Sequence, residues 1–164
     1  MGADYIPGSL FDGESPGHES ISFGSPSIRL TELNDQNGVL LGFGIGKIFN
    51  PGCIGIAGFN GIFDTVEISY GGVTLGTVIN HRHIVNFTAY TLIGAGILDH
   101  DTTDIMDKVW IVEPTLEMNI NLTKEVKTLI GVSYRYVGDV ELDGYTKSNV
   151  SHASLMTGIK VELY

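Results

Sequence analysis

Most of this chain alternates. From about residue 25 to the C-terminus, every second residue is apolar and the residues between are polar or glycine. In the stretch 127–136 one face reads Thr128, Ile130, Val132, Tyr134 and Tyr136. The other reads Lys127, Leu129, Gly131, Ser133 and Arg135. Alternation at period two is the mark of a strand whose faces meet different surroundings. The pattern predicts eight strands, near 25–33, 39–49, 53–63, 65–79, 83–98, 108–122, 126–137 and 152–164. Turn residues separate them: Asn37-Gly38, Asn50-Pro51-Gly52, Asn80-His81-Arg82 and Thr123-Lys124-Glu125, the chemistry that hairpins use. Residues 1–24, with Pro7, Gly8, Gly13, Pro16 and Gly17, read as an irregular acidic tail, and 25–164 as the folded part.

Every second connection is short, while 99–107 and 138–151 read as long loops. Short turns at one end and longer loops at the other is the plan of a transmembrane barrel with an even strand number. The fold expected is therefore all-β, an eight-stranded antiparallel up-and-down barrel of transmembrane type. In the fourth strand the apolar phase runs Val66, Ile68, Tyr70 and then Val73, Leu75, Thr77, Ile79. That shift predicts a β-bulge at Gly71-Gly72.

The apolar faces are bulky and the polar faces carry the glycines. Small and polar residues suit the narrow interior of an eight-stranded barrel, so the apolar faces are expected to point outward. Val85, Phe87, Trp110, Leu116, Met118, Ile130 and Tyr134 are then lipid-facing. Arg29, Glu67, Glu113, Glu117 and Arg135 point inward, and because buried charge needs a partner they are expected to form a lumen network. Pairing the sixth and seventh strands about Lys124 joins residues whose numbers sum to 248, which sets Glu113 opposite Arg135.

Composition narrows the classes. The 164 residues are 43% hydrophobic and 17% charged, below the charge usual for a soluble domain. No apolar run reaches the length of a membrane helix, so a membrane reading requires a closed barrel. The net charge of -10 argues against nucleic acid. Cys53 stands alone and forms no internal disulfide. Met1-Gly2-Ala3-Asp4 lacks a basic region and apolar core, so a removed signal peptide is expected if the barrel sits in the outer membrane.

Candidate chemistry is thin. Asp99, Asp101 and Asp104 offer oxygen ligands for a weak cation loop, without the spacing of a calcium loop. Ser151, His152 and Ser154 lie together with Asp139 and Asp143 upstream, but a triad must converge in space. No catalytic residue, metal site or cofactor is expected.

The segments Val109-Trp110-Ile111-Val112-Glu113-Pro114-Thr115-Leu116-Glu117-Met118-Asn119 and Gly131-Val132-Ser133-Tyr134-Arg135-Tyr136-Val137 resemble small outer-membrane β-barrel proteins of Gram-negative bacteria. Tyr70-Gly71-Gly72-Val73-Thr74-Leu75-Gly76, Leu92-Ile93-Gly94-Ala95-Gly96 and Ile28-Arg29-Leu30-Thr31-Glu32-Leu33-Asn34 are similar to the same proteins. The resemblance implies an eight-stranded barrel, outer-membrane lipid around it and no known activity. One departure stands out: Glu162 and Lys160 share the parity of the terminal Tyr164, where such barrels carry apolar residues. The function expected is a structural or surface-interaction role with a largely plugged interior. Its partners would be lipid and other envelope or surface proteins. The alternatives are a soluble small-molecule-binding barrel with an apolar interior, or the barrel subunit of a larger surface assembly.

Overall fold

The computed structural model describes residues 20–33, 36–49, 51–63, 66–81, 83–100, 103–138 and 151–164. Nine strand segments follow one another: β1 Ile21–Leu33, β2 Gln36–Phe49, β3 Gly52–Ile62, β4 Val66–Ile79, β5 Val85–His100, β6 Thr103–Asn121, β7 Val126–Tyr134, β8 Tyr136–Gly138 and β9 Ala153–Leu163. β7 and β8 are one barrel strand interrupted at Arg135, since both pair with β6. Neighbours pair antiparallel in the order β5-β4-β3-β2-β1-β9-β7-β6, and β6 returns to β5. The result is a closed eight-stranded antiparallel barrel, which leaves no free sheet edge.

The turns form where their residues favour them. Asn80 takes a positive φ of 59°, which asparagine tolerates better than most residues. Thr123 Oγ1 accepts hydrogen bonds from the amides of Glu125 and Val126 at 3.2 and 3.0 Å, closing the β6–β7 hairpin. The short connections 50–51, 80–84 and 122–125 share one end with the barrel's two termini, here the turn end. The opposite, loop end holds 34–35, 63–65, 101–102 and 139–152.

The facing pattern matches the alternation. Val85, Phe87, Trp110, Leu116, Ile130 and Tyr134 lie on the outside, between 38% and 50% exposed. Met118 lies in the same outward row, between Phe87 and Ile130. Gly42 and Gly46 on β2, Gly55 and Gly61 on β3, Gly72 and Gly76 on β4, and Gly94 and Gly96 on β5 face inward and make room for neighbouring side chains and strands. A Cβ on Gly42 would enter the Phe59 ring, and one on Gly96 would press on Tyr70 and Ile111.

Four expectations are corrected. No bulge exists at Gly71-Gly72: β4 pairs without a break with β3 and with β5. Ile68 and Tyr70 therefore face inward and are buried, and the shift in apolar phase marks a change in the interior, not in the backbone. Glu67 consequently faces outward and is exposed at the loop end, so it is no lumen residue. The expected loop at 99–107 is mostly strand, because β5 runs to His100 and β6 begins at Thr103. Asp99 and Asp104 thus stand on different strands, and Asp101 lies outside the described residues. Lastly, β1 begins at Ile21, inside the expected tail. Ile21 packs with Ile48 and Val78, so an apolar contact adds the start of the strand. The tail from 1 to 19, and Asp139, Glu141 and Asp143, lie outside the described residues.

Candidate functional site

The barrel interior changes character along its axis. On β6 the inward positions from the turn end are Asn121, Asn119, Glu117, Thr115 and Glu113, then Ile111 and Val109, all buried. The parity of β6 dictates that column, and the other strands fill matching levels.

Nearest the turn end, Lys127 Nζ meets Glu162 Oε1 at 2.7 Å. The other Glu162 oxygen lies 3.4 Å from His81 Nε2, and Lys127 Nζ is 3.3 Å from that same ring nitrogen. Beside them Asn86 Nδ2 donates to Asn121 Oδ1 at 3.1 Å, and Asn121 Nδ2 donates to the His83 carbonyl. Tyr164, just past β9, donates to the Lys124 carbonyl at 2.9 Å. Burial and the Glu162 carboxylate push its phenol well above the usual range.

One level in, Lys160 Nζ lies 2.8 Å from Glu117 Oε2 and donates to Asn119 Oδ1 at 3.1 Å. The Tyr90 hydroxyl donates to Glu117 Oε1 at 2.9 Å. Both carboxylate oxygens of Glu117 are thus engaged.

The third level crosses the barrel. Arg29 of β1 pairs with Glu113 of β6. The Tyr70 hydroxyl donates to the second Glu113 oxygen at 2.7 Å. The Arg29 guanidinium sits 3.7 Å above the Phe59 ring, and Phe59 stacks on Tyr70 with centroids 5.1 Å apart. Arg135 approaches the same Tyr70 ring at 5.7 Å. Each guanidinium gains a cation–π contact in a desolvated setting. Toward the loop end the described interior is mainly apolar, with Leu40, Phe63, Ile68, Leu98, Val109, Ile111 and Val137 in one cluster.

Arg29, Glu113, Glu117 and Arg135 all lie buried in the interior; Arg29 pairs with Glu113, whereas Glu117 pairs with Lys160 one level away, and Glu67 is outside. The 248 register holds on both sides of the interruption, from Thr115↔Ser133 to Ile111↔Val137. Glu113 nevertheless spends its carboxylate on Arg29 and Tyr70, across the barrel. Sequence reasoning missed His81, Tyr70, Tyr90, Lys127, Lys160 and Glu162 as interior partners. Lys127 shares the inward parity of Arg135. Lys160 and Glu162 share the inward parity of the last strand, where they had read as a departure from the barrel pattern. β9 ends at Leu163, so Tyr164 lies beyond it and that departure is a lumen signal.

The chemistry on view among the described interior residues is charge pairing and hydrogen bonding. Ser151 Oγ accepts from the Val137 amide at 3.0 Å and Ser154 is buried, while Asp139 and Asp143 lie outside the described residues. Among the described residues no cluster of three or more His, Cys, Asp or Glu side chains is placed to hold a metal ion. A cavity of about 50 Å³ remains beside Phe23, Tyr90, Glu117 and Lys160. That is space for a water or two.

No family model matches the chain, and no curated protein sequence does. Two solved structures share the architecture. Neisserial surface protein A matches with a TM-score of 0.67 and 14% identity, over 88% of this chain and 97% of that one. Ail, the attachment invasion locus protein of Yersinia pestis, matches with a TM-score of 0.51 and 15% identity, over 88% of this chain and 98% of that one. Both are small eight-stranded outer-membrane β-barrels, and the fold of this chain is theirs.

Proposed function

We propose that this protein is an integral outer-membrane barrel whose interior is a plug and whose outer surface and rim do its work, in a structural or surface-interaction role. One observation carries the reading: the molecule is turned inside out relative to a soluble protein. Large apolar side chains such as Leu41, Leu116, Val132 and Leu155 stand more than 45% exposed on the wall, while Arg29, Glu113 and Arg135 are at most 1% exposed inside. A continuous apolar wall is stable in lipid and a liability in water. The ion pairs supply partners to charges that would otherwise be prohibitively placed.

The soluble-carrier reading fares worse. A ligand cavity of several hundred Å³ would be needed, whereas the cavity beside Tyr90, Glu117 and Lys160 has about 50 Å³. The names of the two structural neighbours, a surface protein and an attachment protein, support a role at the cell surface. Outer-membrane lipid is then the constant partner, and other envelope or surface proteins would engage the loop end.

Size-exclusion chromatography with light scattering tests the reading. Aggregation in detergent-free buffer, with a β-rich monomer in detergent whose gel mobility changes on heating, is the expected result. A monodisperse 17.7 kDa species without detergent would overturn it.

A further inference from the structure

Among the described residues two prolines stand inside strands, Pro26 in β1 and Pro114 in β6. A sheet confines proline to its edges or to bulges, and a closed barrel has no edge to offer. Proline lacks an amide hydrogen, so each leaves one rung of a ladder unmade. In an antiparallel ladder the N and O of a residue point to the same neighbour. The Pro26 carbonyl points at β9, since a Cβ on Gly158 would lie 2.4 Å from it. The Leu116 carbonyl points at β7, where a Cβ on Gly131 would meet it at 2.7 Å, and Pro114 shares the parity of Leu116. Both prolines therefore face the strand pair β7 and β9.

Both ladders break where the prolines stand. β1 pairs with β9 from Ser22↔Leu163 to Gly24↔Val161 and resumes at Ser27↔Gly158. β6 pairs with β7 as far as Thr115↔Ser133 and resumes with β8 at Val112↔Tyr136. The registers set Pro26 opposite Ile159 and Pro114 opposite Tyr134, whose carbonyls lose the donor of a regular ladder. By contrast, β7 and β9 pair without a gap from Val126↔Val161 to Tyr134↔Ala153. The ladders joining β1 through β5 are also unbroken.

The side chains follow the same division. Lys127 and Glu162 pair within the two strands. Arg29 and Glu113 join β1 to β6, the strands on either side of that pair, and so tie the other six across the interior. At the β1 seam the wall has space on both faces. The cavity beside Glu117 reaches Ser25 and Lys160 on the inside. An open groove of about 510 Å³ lies over Pro26, Thr157 and Ile159 on the outside.

We propose that β7 and β9 move as one unit and are the part of the wall that opens first. They part from β1 at Pro26 and from β6 at Pro114, while Arg29 and Glu113 hold the six-stranded body together. Opening breaks the contacts of Lys160 with Glu117 and of Glu162 with His81, which close the unit again. The interior then communicates with the outer wall sideways, at the β1 seam, and not along the axis.

Amide hydrogen exchange tests this, because it reads local opening. The full chain is folded in detergent micelles and followed residue by residue by NMR. Val161 and Val132, whose amides point into the two seams, are expected to exchange at least about tenfold faster than Ala57 and Phe59 of β3, the factor given by ~1.4 kcal/mol. Pro26→Val restores an amide with a residue that strands favour. It should slow Val132 as well as Val161 and leave Ala57 unchanged, because a unit gains from a rung on either side. Pro114→Val makes the same test from β6. Equal exchange at the seams and in β3 of the wild type overturns the proposal. So does slowing confined to the seam that regained its amide, or spread evenly over all strands. Should a variant fail to fold, the wild-type comparison still decides. A chain that needs no detergent is measured the same way in buffer, so the membrane reading and this one fail separately.

Discussion

Glu113 shows how much one buried carboxylate can hold. It binds Arg29 and Tyr70, and through them it fixes Phe59. Removing one member of a buried pair leaves the other without compensation. Glu113→Gln should therefore cost about 3–5 kcal/mol, read from urea unfolding in lipid vesicles. Replacing both partners, as Arg29→Met with Glu113→Leu, should recover most of that loss, and a double variant no better than the single would sink the argument. Gly42 makes the opposite demand. Its missing Cβ is the room in which the Phe59 ring lies, so Gly42→Ala should destabilise by about 1–3 kcal/mol through overpacking. The same unfolding assay checks it. At this scale parity was enough to find Arg29, Glu113, Glu117 and Arg135. It misled at Glu67 because Ile68 and Tyr70, beside it, are apolar and yet inward. Period two tells that the faces differ, and it assigns them only while each face keeps one polarity.

At the scale of strands the alternation was legible for a physical reason: lipid outside and paired charge inside leave few neutral positions. The turns were equally readable, since Asn80 and Thr123 do locally what their side chains favour. The β5–β6 hairpin was not. Its acids read as a loop, but a strand that continues past the apolar belt can carry charge into water without losing its ladder. Hairpin register rested on arithmetic about Lys124, and it held because both strands bury the same parity. Met118 tests the facing directly. It stands outward between Phe87 and Ile130, so Met118→Arg should cost about 2–4 kcal/mol at the bilayer midplane. Folding titrations in vesicles measure this, and a variant as stable as the wild type would mean that the wall faces something other than lipid.

At the scale of the whole molecule, the described interior is packed level upon level. Three charged levels and an apolar cluster follow one another along the axis, and a cavity of about 50 Å³ lies beside Glu117 and Lys160. Planar bilayers containing the folded protein should show no steady ion conductance, and open-channel currents would refute the plug. The levels also join strands that are not neighbours. Arg29 of β1 reaches Glu113 of β6 past β9 and β7, and His81 in the β4–β5 turn reaches Glu162 of β9. These bonds have a consequence for assembly. On the membrane reading proposed above, a sheet that has curled but not met its own edge holds lone ions facing hydrocarbon, so half-made forms are held at high free energy. Closure and charge neutralisation then become a single step, and the chain enters the membrane as a finished ring or stays outside it.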